Sequence, residues 1–274
     1  MTVGEAGTGA VNAFSHLDSS GVAPEMLAMM QRLDRNPGIA RLGEWAFATL
    51  AISPGEAVLD AGCGLGFDTQ RLARLTGPRG QVLGLDASDV MVSGARALLT
   101  DDTAHIGYAT GDVTALDLPD ASFDVVHCER VLQHLEEPGR AVAELVRVLR
   151  PGGRIALLDT DWFTSTSSAG SDEVAAIVLP ATTIIARSPR VGRKLSVLLH
   201  DAGLEIVGVE VSAVKTDVET VLTPPFTRLP ELAAATGIAD PDVVRGWVDE
   251  VGEHARSGYL AQAVTMFGVV ARKP

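Results

Sequence analysis

The chain has 274 residues, of which 46% are hydrophobic and 21% charged, so it can bury a substantial core. Its formal charge of −13 disfavours nucleic acid and anionic lipid as partners and is compatible with a cationic ligand. Two cysteines, Cys63 and Cys128, are too few for a disulfide scaffold or a zinc cluster and are typical of a cytoplasmic protein. No uncharged apolar run could span a bilayer, and residues 1–10 lack the features of a signal peptide.

The first 50 residues predict an N-terminal helical cap. From Pro24 onward apolar side chains recur at helical spacing. The run Asn36-Pro37-Gly38 interrupts this pattern, and a second apolar helix is predicted to end near Leu50.

Residues 51–160 predict an alternation of strands and helices. Short apolar runs alternate with helical patterns, and turns rich in glycine and proline separate them. Strands are predicted at Ala57–Ala61, Gln81–Leu85, Ile106–Thr110, Phe123–Cys128 and Arg154–Leu158. Five strands joined by helical crossovers predict an α/β fold with a parallel, doubly wound sheet.

The pattern changes after Asp161. The small polar run 164–170 is typical of a mobile loop, and residues 172–200 have a mostly helical pattern. We therefore expect a cap insertion at about 162–200, where the apolar side chains of 177–185 serve an acceptor pocket, ordinary helix packing or a subunit interface. Two last strands are predicted over 204–214 and 261–271, with a helical segment at about 217–258 between them. The main domain is thus predicted to occupy residues 51–274.

The sharpest motif is VLDAGCGLG at residues 58–66, in which a strand leads through a glycine-rich turn into a helix. Glycines permit positive φ and let a ligand approach the backbone closely. Dinucleotide-binding folds use G-x-G-x-x-G, whereas here the glycines lie at 62, 64 and 66 and the next residue is Phe67. Asp60 suits the ammonium of a methionyl group better than a pyrophosphate. Taken alone, the turn is also compatible with a tight βα connection that binds nothing.

Three further features lie at the ends of the following predicted strands. Asp86 follows Gly66 by twenty residues, and its carboxylate can accept hydrogen bonds from both hydroxyls of a ribose. Asp112 and Val113 follow the third strand and can hold an adenine through a carboxylate and a backbone N–H. The fourth strand ends near Glu129 and is expected to lie beside the first, where the strand order reverses.

Together these motifs resemble the class I S-adenosylmethionine-dependent methyltransferases, in particular the small-molecule branch around the ubiquinone and menaquinone biosynthesis methyltransferases. The likeness is strong over about 52–162 and weak over 195–271. It implies a Rossmann-like seven-stranded sheet of order 3-2-1-4-5-7-6 with the last strand antiparallel. The matching segments are VLDAGCGLG (58–66), GLDAS (84–88), GDVTALDLPDASFDVV (111–126) and RVLRPGGRIALLD (147–159).

The resemblance also implies S-adenosylmethionine as the cofactor, with S-adenosylhomocysteine as the product. In this branch the N-terminal helices often close over the cofactor, which suggests Phe14, His16 and Arg32 as further contacts. Carried over residue by residue, the implied cofactor contacts are Gly62, Gly64 and Gly66 for the methionyl and ribose parts, Asp86 and Ala87 for the ribose, Asp112 and Val113 for the adenine, and Asp60 and Glu129 at the methionyl end.

Methyl transfer from a sulfonium is an in-line displacement that needs placement and exclusion of water, so no metal is expected. His134 and Asp161 lie at the predicted active-site edge and are the candidate catalytic residues. The alternatives are that His134 packs against the cofactor wall and that Asp161 is a solvated loop carboxylate. Trp162 is a candidate apolar wall, whereas His127, inside a buried strand, fits a satisfied core histidine.

The sequence thus predicts an enzyme that methylates a small, largely apolar metabolite of quinone, polyketide, terpenoid or alkaloid type. The alternative is a cyclase of a natural-product pathway that binds S-adenosylmethionine on the same fold. A non-catalytic binding protein is disfavoured because the glycine turn and Asp86 are intact. Homo-oligomerisation is compatible with the apolar cap, and no membrane span is expected.

Overall fold

The computed structural model of the protein describes residues 24–99, 105–174, 186–223 and 226–274. Seven strands form one sheet. The strands are β1 (Ala57–Ala61), β2 (Gln81–Asp86), β3 (Ile106–Thr110), β4 (Phe123–Glu129), β5 (Leu149–Ser167), β6 (Glu205–Lys215) and β7 (Gln262–Arg272). Their order is β3-β2-β1-β4-β5-β7-β6, and β7 is antiparallel to both of its neighbours. The predicted fold class and strand order are confirmed.

Helices cover the sheet and connect its strands. The described α-helices are α1 (Pro24–Asp34), α2 (Pro37–Leu50), α3 (Phe67–Thr76), α4 (Asp89–Ala97), α5 (Pro138–Val148), α6 (Leu195–Asp201), α7 (Val218–Val221), α8 (Leu229–Thr236) and α9 (Pro241–Arg256). Short 3-10 helices lie at Leu132–His134, Gly192–Lys194 and Phe226–Arg228. Within the ranges that the structure describes, no helix is long and apolar enough to cross a membrane.

The two faces of the sheet are buried under different helices. On one face α5 and α6 contribute Leu145, Leu195 and Leu199 to the core, and on the other α2 and α3 contribute Leu42 and Leu72. Strands buried on both faces carry nearly continuous apolar runs, which explains why β1 and β4 were recognisable from the sequence. A separate smaller core lies under α8 and α9 around Trp247.

β5 is much longer than the sequence predicts. It continues past the carboxyl ends of β1 and β4, and beyond a bulge it pairs again with β7, Thr166 opposite Ala263 and Ser167 opposite Gln262. The backbone N–H of Thr265 also donates to Thr164 Oγ1 at 2.8 Å. The predicted mobile loop is therefore wrong for residues 164–167, because the polar run finds hydrogen-bonding partners on a strand about 100 residues away.

The two ends of the predicted cap insertion belong to the main sheet and to its core, respectively. Residues 162–167 are part of β5, and Val191, Leu195 and Leu199 are buried against the α5 face of the sheet. The apolar residues 177–185 lie outside the described residues. The role of segment 162–200 as a cap remains a prediction.

Leu145→Ala tests the core under α5. Leu145 is fully buried, so the truncation should lower the free energy of unfolding by about 2 to 5 kcal/mol through lost burial and a cavity. Leu75 lies on α3 with 42% of its surface exposed, and Leu75→Ala should change stability by only about 0.5 kcal/mol. Urea unfolding of both variants measures the difference, and equal effects would contradict the described packing.

Candidate functional site

A cavity of about 390 Å³ opens at the carboxyl ends of β1, β2, β3 and β4. Parallel strands all end at one edge of a sheet, so residues distant in sequence meet there. α1 lies over the cavity and is held by Arg32, which forms an ion pair with Glu219 at 3.1 Å. Arg32 therefore ties α1 to α7 and does not line the cavity, while Phe14 and His16 lie outside the described residues.

The glycine-rich turn forms the floor of the cavity, but its glycines have different roles. Gly62 has a φ of 76°, its N–H donates to the carbonyl of Leu85, and a Cβ here would collide with Val131. Gly62 and Gly64 line the cavity, whereas Gly66 does not. A Cβ at Gly66 would collide with the hydroxyl of Tyr108. Gly66 is thus required for packing, and its predicted contact with the cofactor has no support from its position.

Asp86 is held in a fixed orientation beside the glycine turn. Its Oδ2 accepts a hydrogen bond from the N–H of Gly64 at 2.8 Å, and its Oδ1 accepts one from the N–H of Ser88 at 2.9 Å. A carboxylate oxygen can accept more than one hydrogen bond, so both oxygens can also receive ribose hydroxyls. Asp86 and Ala87 both line the cavity, as a ribose site requires.

The predicted adenine contacts lie at the far end of the cavity. Asp112 is exposed and accepts hydrogen bonds from the backbone N–H and the hydroxyl of Thr114, at 2.8 and 2.7 Å. Val113 is buried, and both residues line the cavity. An exposed carboxylate can accept a hydrogen bond from the polar edge of a flat ring, and an apolar side chain beside it can pack against the face of that ring.

The carboxylate of Asp60 is hydrogen-bonded to other side chains of the protein. Its Oδ2 accepts from Thr69 Oγ1 at 2.6 Å, and its Oδ1 pairs with His127 Nδ1 at 2.9 Å. Burial alone would lower the pKa of His127, but the hydrogen bond and charge of Asp60 raise it to about 9. His127 is fully buried, as predicted, but among the described residues its Nε2 has no hydrogen-bonding partner, and the ring lines the cavity.

Glu129 ends β4 at the same wall of the cavity. Burial and the charge of Asp68 raise the pKa of Glu129 to about 7, although Arg130 opposes this shift and donates to Glu129 at 3.0 Å. Arg130 has a φ of 55°, a left-handed conformation that is uncommon for a residue with a side chain. Such backbone strain is concentrated at functional sites, and Arg130 also lines the cavity.

The two candidate catalytic residues are not brought together. His134 lines the cavity from the 3-10 helix Leu132–His134. Asp161 is fully buried within β5, forms an ion pair with Arg193 and does not line the cavity. The predicted contact of Asp161 with an acceptor therefore has no support from its position, since the strand continues through it and Arg193 binds its carboxylate.

Trp162 does line the cavity, and its Nε1 donates to Gln133 Oε1 at 2.6 Å. Sequence reasoning missed Asp68, Arg130, Gln133 and Gln262, which are isolated polar residues without a motif. Apolar side chains form most of the remaining wall near β6 and β7: Met30, Leu33, Val214, Phe226, Leu229, Val264 and Met266. One signal for this wall was available in the sequence: Gln262, Val264 and Met266 are spaced two residues apart along β7, so their side chains lie on the same face of the strand.

The comparisons with known proteins cover different parts of the chain. Residues 59–157 match a family model described as a methyltransferase domain. The chain is 37% identical over 224 residues to an uncharacterized 37.1 kDa protein in transposon TN4556 of Streptomyces fradiae, covering 80% of this chain and 63% of that protein. It is 37% identical over 127 residues to the ubiquinone/menaquinone biosynthesis C-methyltransferase UbiE of Teredinibacter turnerae, covering 44% of this chain and 50% of that enzyme. The chain thus spans less than two thirds of these curated relatives.

Among solved structures, the [4+2]-cyclase SpnF superposes with a TM-score of 0.54 at 25% identity, covering 86% of this chain and 81% of the cyclase. This chain therefore has a fold similar to that of a protein named as a cyclase.

Asp159, at the back of the cavity wall, generates a test of pH dependence. It is buried, accepts from the N–H groups of Thr160 at 2.8 Å and Gln133 at 3.1 Å, and burial raises its pKa to about 7. Between about pH 4 and 7 the folded protein keeps a proton that the unfolded chain releases. The free energy of unfolding of the wild type, taken relative to that of Asp159→Asn, should therefore fall as the pH rises through this window. The expected fall is a few kcal/mol, on the order of the limit that proton linkage sets for such a pKa shift.

Urea unfolding at several pH values between 4 and 8 measures this difference. Asp117→Asn, at an exposed position, is the matched control and should show no such window. Parallel stability curves for wild type and Asp159→Asn would show that the carboxyl group is not protonated in the folded protein.

Proposed function

We propose that this chain is a class I S-adenosylmethionine-dependent methyltransferase that transfers the methyl group of S-adenosylmethionine to a small, largely apolar acceptor. The match of residues 59–157 to a methyltransferase domain supports this proposal. One observation carries the proposal. Asp86, Asp112 and the glycine turn line one part of a cavity whose part near β6 and β7 presents Val214, Val264 and Met266 beside the polar Lys215, Asp217 and Gln262. A polar nucleoside and an apolar acceptor can therefore lie next to each other.

The cofactor half can be assigned residue by residue. Asp86 and Ala87 hold the ribose, Val113 and Asp112 hold the adenine, and the backbone at Gly62 and Gly64 contacts the methionyl part. Glu129 lies at the methionyl end, and Asp60 acts behind it by orienting His127. When bound, S-adenosylmethionine supplies a methyl group already activated on a cationic sulfur. The chain's own task is then to orient two reactants and to exclude water.

The acceptor half is built by the antiparallel part of the sheet. Met266 and Val264 of β7, with Val214 of β6, present an apolar surface toward the cofactor half, and Trp162 closes it from β5. Burying an apolar acceptor against this surface removes water from the path of the displacement. His134 is the residue proposed to contact the acceptor or to remove its proton.

The class of acceptor follows from this lining and from the relatives. The relative from Teredinibacter turnerae is named for ubiquinone and menaquinone biosynthesis, which supports a quinone-like acceptor. This relative matches 44% of the chain. Polyketide, terpenoid and alkaloid acceptors fit the same apolar wall. The structural likeness to a [4+2]-cyclase favours one competing function, in which the cofactor is bound but its methyl group stays in place.

Asp86→Ala tests the cofactor half. Removing the carboxylate leaves two ribose hydroxyls and two backbone N–H groups without their acceptor, so affinity for S-adenosylhomocysteine should fall roughly 10- to 100-fold. Isothermal titration measures this, with Asp117→Ala as an exposed aspartate control that should bind like the wild type. Failure of the wild-type chain to bind either S-adenosylmethionine or S-adenosylhomocysteine would overturn the cofactor assignment.

Label transfer separates methylation from cyclisation. The chain is incubated with methyl-labelled S-adenosylmethionine and a panel of hydroquinones, polyketides, terpenoid alcohols and alkaloids, and the organic extract is analysed for label and mass. A labelled product, with turnover lowered by His134→Gln at unchanged cofactor affinity, supports the proposed reaction. An unlabelled product isomeric with its substrate would identify the cyclase instead.

A further inference from the structure

Three potential ligand atoms converge behind the glycine turn. They belong to Asp68 on α3 and to His127 and Glu129 on β4, and they all lie within 4.8 Å of one another. Side chains two residues apart on a strand point to the same face, which places His127 and Glu129 side by side. All three residues line the cavity.

His127 is oriented as a metal-binding histidine is. Its Nδ1 is bound to Asp60, whose other oxygen is bound to Thr69, so the ring orientation is fixed from behind. Metal-ligating histidines characteristically use one ring nitrogen for such a carboxylate and the other for the ion. The other nitrogen, Nε2, is buried and has no hydrogen-bonding partner in the part of the chain that the structure describes. A buried polar atom without a partner is costly, and an ion would provide one.

The two carboxylates can still reach an ion. The hydrogen bonds described for them involve Asp68 Oδ1 with Arg71 at 2.7 Å and Glu129 Oε1 with Arg130 at 3.0 Å. With His127 neutral, as a metal-binding imidazole must be, the carboxylates around this point outnumber the guanidinium groups by two. The groups are the carboxylates of Asp34, Asp60, Asp68 and Glu129 and the guanidinium groups of Arg71 and Arg130.

We propose that Asp68, His127 and Glu129 bind one first-row divalent transition metal ion, and that the amino acid end of the cofactor completes the coordination of this ion. One imidazole and two carboxylates suit Mn²⁺, Fe²⁺, Co²⁺ or Zn²⁺ better than Mg²⁺, which prefers oxygen ligands throughout. An α-amino carboxylate is a bidentate nitrogen and oxygen ligand. The second half of this proposal rests on the proposed function, because it places the methionyl end of the cofactor beside Glu129.

The ion would hold the cofactor and would not activate the methyl group. Sulfonium transfer needs no Lewis acid, so the expectation of a metal-free displacement is unchanged for the chemical step. Glu129 and Asp68 then hold the methionyl end through the ion instead of contacting it directly.

The first experiment measures the metal alone. Chelator-treated, untagged chain is titrated with Co²⁺ in a mildly basic buffer, because Nε2 must release its proton to bind. We expect one Co²⁺ per chain with visible d–d absorption, and much weaker binding of Mg²⁺. His127→Gln should remove the absorption, and Asp68→Asn, at a less buried ligand, should weaken binding at least about 10-fold. The control His200→Gln alters an exposed histidine and should bind Co²⁺ normally.

The second experiment measures coupling to the cofactor. Co²⁺ should raise affinity for S-adenosylhomocysteine at least about 10-fold, and by reciprocity S-adenosylhomocysteine should raise affinity for Co²⁺ by the same factor. Methylthioadenosine keeps the nucleoside but lacks the amino acid end, so Co²⁺ should leave its affinity unchanged.

Each of the following outcomes would overturn one part of the proposal. Absence of stoichiometric Co²⁺ binding, or equal binding by folded His127→Gln, overturns the metal site while leaving metal-free cofactor binding intact. Weaker binding of S-adenosylhomocysteine with Co²⁺ present would show that Asp68 and Glu129 contact its ammonium directly. Binding of Co²⁺ without binding of S-adenosylhomocysteine would instead refute the proposed function.

Discussion

The buried hydrogen bond between Asp60 and His127 joins β1 to β4 at the point where the strand order reverses. Asp60 lies opposite His127 in the register of the two parallel strands, so sheet pairing itself brings the side chains together. Their polar groups are buried and cannot be left unpaired without a penalty. This pair therefore satisfies Nδ1 within the sheet and leaves Nε2 as a buried nitrogen without a hydrogen-bonding partner among the described residues.

The rest of the site is arranged around that junction. The glycine turn after β1 passes beneath Val131, and Asp86 at the end of β2 fixes the turn by accepting the N–H of Gly64. On the opposite side, the long β5 and the antiparallel β7 extend past the edge and support an apolar wall that includes Trp162 and Met266. The proposed nucleoside site and several apolar side chains of β6 and β7 thus line one cavity, because the parallel and antiparallel parts of the sheet meet beside it.

The strand pattern and the glycine motif were readable because they depend on local physics. Strands buried on both faces are apolar throughout, and the residues at 62 and 66 must be glycines because their φ is positive and a side chain would collide. The same motif did not reveal that the collision at Gly66 is with Tyr108 of β3. A glycine required for packing and a glycine that contacts a ligand look alike in a sequence.

The amino-acid sequence by itself determined the parallel strands, the position of the glycine turn and the placement of Asp86, because each follows from periodicity, turn chemistry and the end of a strand. The full strand order was implied by the resemblance to the methyltransferase family. Only the tertiary structure decided that Asp161 is withdrawn into an ion pair with Arg193 and that Asp68 joins His127 and Glu129. Those outcomes depend on contacts between residues distant in sequence, whose geometry exists only once the sheet has formed and the helices have packed on it.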